Sequence, residues 1–264
     1  MTRIRALVAK EFLDVRRNRA VLLPVAIVTL VALVLPFATT IGVPRMSGQH
    51  LSDDADLVKV SGATGVHDEL SEEGVIQLFL FEQFLLFFLL TPITGAMALA
   101  AHAIVGEKQA RTLEPLLATP IGTLELLVAK VIGALVPTLV ISMIGLALYL
   151  AGIGALAEGG VLAAMLTART ALVVFFVGPA AALVALQSAL VISSRVNDAR
   201  TAQQFGVLII LPLTGLLVAQ FTGTLRLSAS LLAFVGLGLL GLWAMLALAS
   251  VALFDREAIL TRWR

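Results

Sequence analysis

The sequence predicts an all-α integral membrane protein with six transmembrane helices, an N-terminal amphipathic interfacial helix and a further helical segment between the second and third spans. Hydrophobic residues make up 59% and charged residues 13% of the 264 residues, whereas soluble domains carry about 25% charged residues. Six runs of 24 to 28 residues contain no Asp, Glu, Lys or Arg. Each run exceeds the ~20 residues that cross a bilayer. Lipid offers the backbone no hydrogen-bond partners, so these runs must be helical.

The predicted organisation is an amphipathic helix at 1–19 followed by a six-helix transmembrane domain at 20–264. An outer loop at 45–74 and an inner segment at 106–124 are the two long connections. The spans are placed at about 20–44, 75–105, 125–153, 170–194, 203–223 and 229–254.

The distribution of Lys and Arg predicts the orientation. Six spans put both termini on one side, and fourteen of the 18 basic residues fall on that side. Because cytoplasmic loops are enriched in Lys and Arg, we expect both termini of this multi-pass cell-membrane protein to be cytoplasmic. The net charge of +1 provides no field that would attract nucleic acid.

The N-terminal piece carries an apolar stripe at helical spacing, opposite basic residues. The stripe comprises Ile4, Leu7, Val8, Phe12 and Val15. This pattern is typical of a helix lying in the membrane interface. It is compatible with a plain anchor and with a lever that rests on a cytoplasmic partner.

The outer loop at 45–74 is acidic and shows no clear helical or strand period. His50 and His67 lie near its Asp cluster, but no tight ligand spacing supports a metal site. We therefore expect a solvated acidic loop and no bound metal.

The segment from Gly106 to Lys130 is too long for a simple connector, since most connections need four to six residues. Gly106 can end the preceding helix, 119–122 reads as a turn, and Thr123 suits the N-cap of the next helix. The segment is amphipathic and mixed in charge, as a docking element for a soluble partner would be.

At this segment the sequence resembles the membrane subunits of ABC-2 type transporters, especially the sodium-exporter-like permeases. The pattern is approximately G-E-K-E-x-G-T-L-E-x-L-L-x-T-P-x-x-x-x-E-(I/L)-x-x-G-K. Arg111 and Ala129 stand where the pattern has glycine. The residues that match it are Gly106, Glu107, Lys108, Thr112, Leu113, Glu114, Leu116, Leu117, Thr119, Pro120, Glu125 and Lys130.

The resemblance implies an export permease that pairs with a second permease subunit, identical or different, above two separate ATPase subunits. The segment at 106–124 then contains a cytoplasmic coupling helix that fits a groove on the ATPase. The polar contacts implied are Glu107, Arg111, Glu114 and Glu125, with Leu113, Leu116 and Leu117 as apolar anchors. A solvated helix face with local ion pairs is the alternative interpretation of these charges.

The sequence contains no P-loop for binding ATP. Its four lysines are followed by Glu, Val, Gln and Val, whereas a P-loop lysine is followed by Ser or Thr. We therefore expect no enzyme activity and no cofactor in this chain, with ATP and magnesium held by the partner ATPase. The run Gly236 to Gly241 matches G-x-G-x-x-G, but it lies inside an uncharged span, where small residues favour close helix packing.

Glu82 is the one acid near the interior of a predicted span, and we treat it as a possible intramembrane polar site. A span that begins near Val75 would instead leave Glu82 at the outer interface. Pro137, Pro179 and Pro212 interrupt spans three, four and five, as tolerated kinks or as flexible points. Alternative functions are a secondary transporter or a membrane assembly factor without an ATPase partner.

Overall fold

The computed structural model describes residues 2–17, 19–62, 70–109, 111, 122–195, 204, 211–212, 215, 218–220 and 228–253. Regular structure in these ranges is helical, as the sequence predicts. The α-helices are α1 (Thr2–Arg17), α2 (Arg19–Phe37), α3 (Val43–Ser47), α4 (Ala55–Gly62), α5 (Glu72–Phe88), α6 (Leu90–Gln109), α7 (Thr123–Leu156), α8 (Val161–Met165), α9 (Ala168–Leu172), α10 (Gly178–Arg195) and α11 (Ala229–Leu253). Two π-helices (Ala38–Gly42 and Val173–Val177) and a 3₁₀ turn (Leu51–Asp53) complete them.

Within the described ranges, five helical stretches are long and apolar enough to cross a membrane. They are Leu22–Ser47, Glu72–Glu107, Leu124–Leu156, Ala168–Ser193 and Ala229–Val251. The fifth span of the sequence prediction, at 203–223, lies mostly outside the described residues. Five of the six predicted spans are therefore represented.

The second span is the centre of the bundle. Its C-terminal half, α6, packs most extensively against α10 and also against α7 and α2. Small buried residues, among them Ala96, Ala100 and Ala182, line this contact, and they let the helix backbones approach closely. The first span and α11 are the least buried, so they form the periphery.

Proline explains where the spans are irregular. The second span breaks at Leu89, between α5 and α6, three residues before Pro92, whose ring displaces the carbonyl of residue 88 and which has no amide to donate. The π-helix Val173–Val177 directly precedes Gly178 and Pro179 for the same reason. Pro137, in contrast, lies inside the uninterrupted α7.

An aromatic cluster fills the bundle between α2, α5 and α7. Tyr149 is fully buried, and its hydroxyl donates to the carbonyl of Phe81 at 2.8 Å. The rings of Phe37, Phe81 and Phe88 lie 5.5 to 6.1 Å from their neighbours in this cluster. The buried hydroxyl is thus satisfied by backbone, as a polar group in an apolar core must be.

Helix α1 packs along the start of α7. The apolar stripe is only partly buried, since Leu7 is 6% exposed but Phe12 is 36% exposed. Glu11, which the amphipathic pattern does not include, is 5% exposed. A Cβ at Gly133 of α7 would lie 2.4 Å from the Glu11 Cβ, so the two helices touch at this glycine. We call the end of the bundle that carries α1 and the ends of α6 and α7 nearest it the basal end.

The region predicted as a solvated acidic loop is partly folded. Residues 43–62 form α3, a 3₁₀ turn and α4. Leu51 is buried with Ile76, Phe79 and Leu80 of α5, and Leu57 and Val58 pack against them. The prediction missed these helices because each has eight residues or fewer, too short for a clear hydrophobic period.

Candidate functional site

The residues predicted to couple to a partner are only partly within the described structure. Glu107 lies near the end of α6. Arg111 follows the last residue of α6, Gln109, by two positions, and Glu125 lies in the first turn of α7. Leu113, Glu114, Leu116 and Leu117 fall outside the described residues.

Arg111 adopts a left-handed backbone conformation with φ of 54°, and its side chain is exposed. Left-handed residues commonly follow helix C-termini, and glycine is favoured there because it has no Cβ. The resembling pattern has glycine at this position. Arg111 therefore holds a backbone turn that usually requires glycine, at a cost of about 1–2 kcal/mol.

Glu125 caps the start of α7. The Gly122 amide donates to its Oε2 at 2.9 Å, and Gly122, with extended backbone, is the N-cap. The predicted N-cap, Thr123, is instead the first helical residue. A carboxylate here also interacts favourably with the positive end of the helix dipole.

Four charged side chains meet at the basal end, and we call them the basal charge ring: Lys10 and Glu11 of α1, Glu107 of α6 and Lys130 of α7. Each ammonium contacts each carboxylate. The Lys130 Nζ lies 2.8 Å from a Glu107 oxygen and 3.3 Å from a Glu11 oxygen. Lys10 pairs with Glu107 and lies 3.5 Å from Glu11.

Lys130 is the most deeply buried member of the ring, with 0% exposure. Its ammonium also donates to the carbonyl of Ala103 at 2.7 Å, so three acceptors surround its three donors. A buried charge is tolerated only when it is paired and hydrogen-bonded. The ring supplies both conditions.

Lys10 lies at the rim of the ring, next to the exposed Asp14 at 3.6 Å. Burial alone lowers the pKa of Lys10, but the hydrogen bond and charge of Glu107, with the charges of Glu11 and Asp14, outweigh it. The pKa of Lys10 therefore lies above its ordinary value of 10.5. Lys10 stays charged at physiological pH.

The resemblance implies that Glu107 is a polar contact to the ATPase, with local ion pairs as the alternative interpretation; in the structure Glu107 is 9% exposed and pairs with both lysines. Sequence reasoning assigned no site role to Lys10, Glu11 or Lys130. The sequence did show Lys10 and Glu11 in the predicted N-terminal helix and Lys130 at the end of the Gly106 to Lys130 segment. Nothing in their spacing showed that they meet.

Glu82 lies at the other end of the bundle. Arg169 of α9 donates to its Oε2 at 2.9 Å, with side-chain exposures of 29% and 16%. The possible intramembrane acid is thus paired with an arginine.

The acidic segment at the same end contains a further pair, His50 Nδ1 and Glu73 Oε2, at 3.1 Å. No group of three His, Cys, Asp or Glu placed to hold a metal occurs among the residues with described positions. His67 lies outside them.

Comparison with known proteins identifies the family of this chain. The family model described as ABC-2 family transporter protein matches residues 5–253. The chain belongs to the ABC-2 transporter family. No curated protein is found to match it. An ABC-2 membrane domain is a transport subunit, which agrees with the apolar helices and with the segment on which the resemblance rests.

Proposed function

We propose that this chain is the permease subunit of an ABC exporter, driven by ATP hydrolysis in a separate ATPase subunit. Family membership over residues 5–253 supports the transport role. The separate ATPase is supported by the sequence, in which none of the four lysines stands in a P-loop.

The basal end faces the cytoplasm in this proposal. The positive-inside rule supports this orientation, because fourteen of the 18 basic residues fall on the side of the predicted spans that carries both termini, and α1 lies at the basal end. Glu82, Arg169 and the acidic segment with His50 and Glu73 then lie at the outer side of the membrane.

The segment at 106–124 is the coupling element. Stretches of 36 and 33 residues lead into and out of it, and both exceed the ~20 residues that cross the hydrocarbon. The observation that carries the proposal is the family match over residues 5–253, and the coupling role is supported by the 2.8 Å contact between Glu107 and Lys130. This contact joins the end of α6 that leads into the segment to the part of α7 that follows it, so that a push on the segment reaches both helices.

A second permease subunit completes the transporter. Large apolar side chains are exposed along the first span and α11, including Leu30, Val34, Phe234 and Leu248. Lipid and a paired subunit are the two environments that cover such surfaces in a membrane.

The test is copurification with an ATPase whose gene adjoins that of this chain and which carries a P-loop. Glu114→Lys and Leu117→Asp should abolish copurification, because docking would lose a polar contact and an apolar anchor. Asp56→Lys, on α4 at the opposite end, is the matched control and should leave the complex intact. Normal complex formation and ATP-driven transport in both segment variants would show that the docking assignment is wrong.

The alternatives give different outcomes in the same preparation. A secondary transporter would move substrate along an ion gradient with no ATPase present. An assembly factor would move none in either condition. Either result would refute the exporter proposal.

A further inference from the structure

The basal charge ring joins parts of the chain that are far apart in sequence. Lys10 and Glu107 are separated by 97 positions, and Glu11 and Lys130 by 119. The ring therefore connects α1 to both helices that flank the segment at 106–124. The 16-residue helix α1 has no covalent link to that segment other than through α2 and the whole second span.

The shared contacts make this connection costly to open. If α1 withdrew, Lys130 would keep Glu107 but lose Glu11, and Glu107 would keep Lys130 but lose Lys10. Two buried groups would thus each lose one of their charged hydrogen-bond partners, which is unfavourable at sites from which water is excluded.

Packing limits sliding as well as withdrawal. The Glu11 side chain passes over Gly133, where a Cβ would come within 2.4 Å of the Glu11 Cβ. Leu7, one turn earlier on α1, is buried on the same face. The contact thus fixes the register of α1 on α7.

We propose that the basal charge ring is a latch that fixes α1 to the ends of α6 and α7 that flank the coupling segment, so that α1 and these two helix ends move as one rigid unit. This inference rests on the proposed function for what moves the segment. Lys10, Glu11, Glu107 and Lys130 are positioning residues in this arrangement. The exposed face of α1, with Arg5, Phe12, Leu13 and Arg16, shifts along the membrane surface together with these two helix ends.

The chain contains no cysteine, so pairs of introduced cysteines can carry spin labels without background. Ala9→Cys on α1 and Leu124→Cys at the start of α7 are both exposed sites. In the full chain in lipid nanodiscs, the distance between these labels should be narrowly distributed. Lys130→Gln should broaden that distribution at least twofold, because two carboxylates then share one ammonium.

Two variants separate the ring from a general effect of losing charge. Arg16→Gln removes an exposed positive charge from the same helix and should leave the distribution narrow. Glu11→Gln combined with Lys130→Gln leaves the neutral pair of Lys10 and Glu107 and should restore most of the narrowness. If Lys130→Gln does not fold, Lys10→Gln at the half-exposed rim replaces it. An unchanged width in the folded ring variant would overturn the latch.

A second label pair tests movement as a unit. Met46, at the end of the bundle opposite α1, is 90% exposed. Met46→Cys combined with Ala9→Cys gives the second pair of spin labels. In the complex with the copurified ATPase, ATP with vanadate should shift the Ala9–Met46 distance while the Ala9–Leu124 distance stays constant. Equal shifts in both pairs would refute the rigid unit. If no ATPase copurifies, the proposed function fails, and the width of the Ala9–Leu124 distribution in the chain alone still decides the latch.

Discussion

Arg169 of α9 donates to Glu82 of α5 at 2.9 Å, which joins the second and fourth spans near the end opposite α1. Both side chains are mostly buried, at 29% and 16% exposure. The one acid near the interior of a predicted span is thus paired with an arginine 87 positions away in the sequence.

This ion pair predicts coupled effects on stability. Glu82→Gln and Arg169→Gln should each destabilise the protein, and the double variant should cost less than the two together, with a coupling free energy of about 1–2 kcal/mol. The free energy of unfolding in detergent is measured for the natural chain, the two single variants and the double variant. Strictly additive losses would show that the pair contributes nothing. Asp56→Asn, at an exposed acid of the same end, is the control for removal of a negative charge.

Arg111 predicts a stabilising substitution. Arg111→Gly should raise the free energy of unfolding by about 1 kcal/mol, because glycine adopts φ of 54° without a Cβ penalty. Arg111→Ala is the matched control: it removes the same side chain but keeps the Cβ, so it should give no such gain. Equal effects of the two variants would mean that the side chain, and not the backbone, is responsible.

The contact between α1 and α7 predicts a steric effect. Gly133→Ala should destabilise the chain by about 1–3 kcal/mol, because the new methyl group meets the Glu11 Cβ at 2.4 Å. Gly241→Ala in α11, where the added Cβ would meet no neighbouring atom within 4 Å in the part of the chain that the structure describes, should be neutral or slightly stabilising. Thermal unfolding of the two variants side by side tests this, and a Gly133→Ala protein as stable as Gly241→Ala would contradict the close approach.

The G-x-G-x-x-G run predicts different roles for its glycines. A Cβ at Gly236 would lie 2.2 Å from the Phe176 ring, whereas a Cβ at Gly238 or Gly241 would meet no neighbouring atom within 4 Å among the described residues. Gly236→Ala should therefore loosen α11 from the π-helix Val173–Val177 and lower stability by about 1–2 kcal/mol. Gly238→Ala should not. Limited proteolysis after residue 228 gives an independent measure of how firmly α11 is held.

The raised pKa of Lys10 predicts how stability depends on pH. A lysine whose pKa is higher in the folded state binds its proton more tightly there, so its contribution is fully present below the ordinary value of 10.5 and is lost as pH rises through the folded-state pKa. Stability of the natural chain should thus fall more steeply above pH 10.5 than that of Lys10→Gln. Parallel curves for the two proteins would show that Lys10 gains nothing from the ring.

The helical class and the approximate positions of the described spans follow from the sequence because backbone N–H and C=O groups in lipid must find their hydrogen-bond partners within the protein. An uncharged run of more than 20 residues has no other solution in a bilayer. The helix break at Leu89 is also encoded, in Pro92. The predicted span boundaries did not include this break because they depended only on the positions of charged residues. The resemblance to the family likewise rests on a local pattern, Gly106 to Lys130, that can be read along the chain, and the family model matches residues 5–253.

The short helices at 43–62 and the basal charge ring depended on the tertiary structure. Leu51 becomes a core residue only when α5 is beside it. Glu107 belongs to a helix end by its spacing, but whether it faces water or two lysines depends on where α1 packs, 97 positions away. Long uncharged apolar runs determine which residues enter the membrane. The pairing of buried charges depends instead on which helices become neighbours, and the local sequence pattern does not determine that.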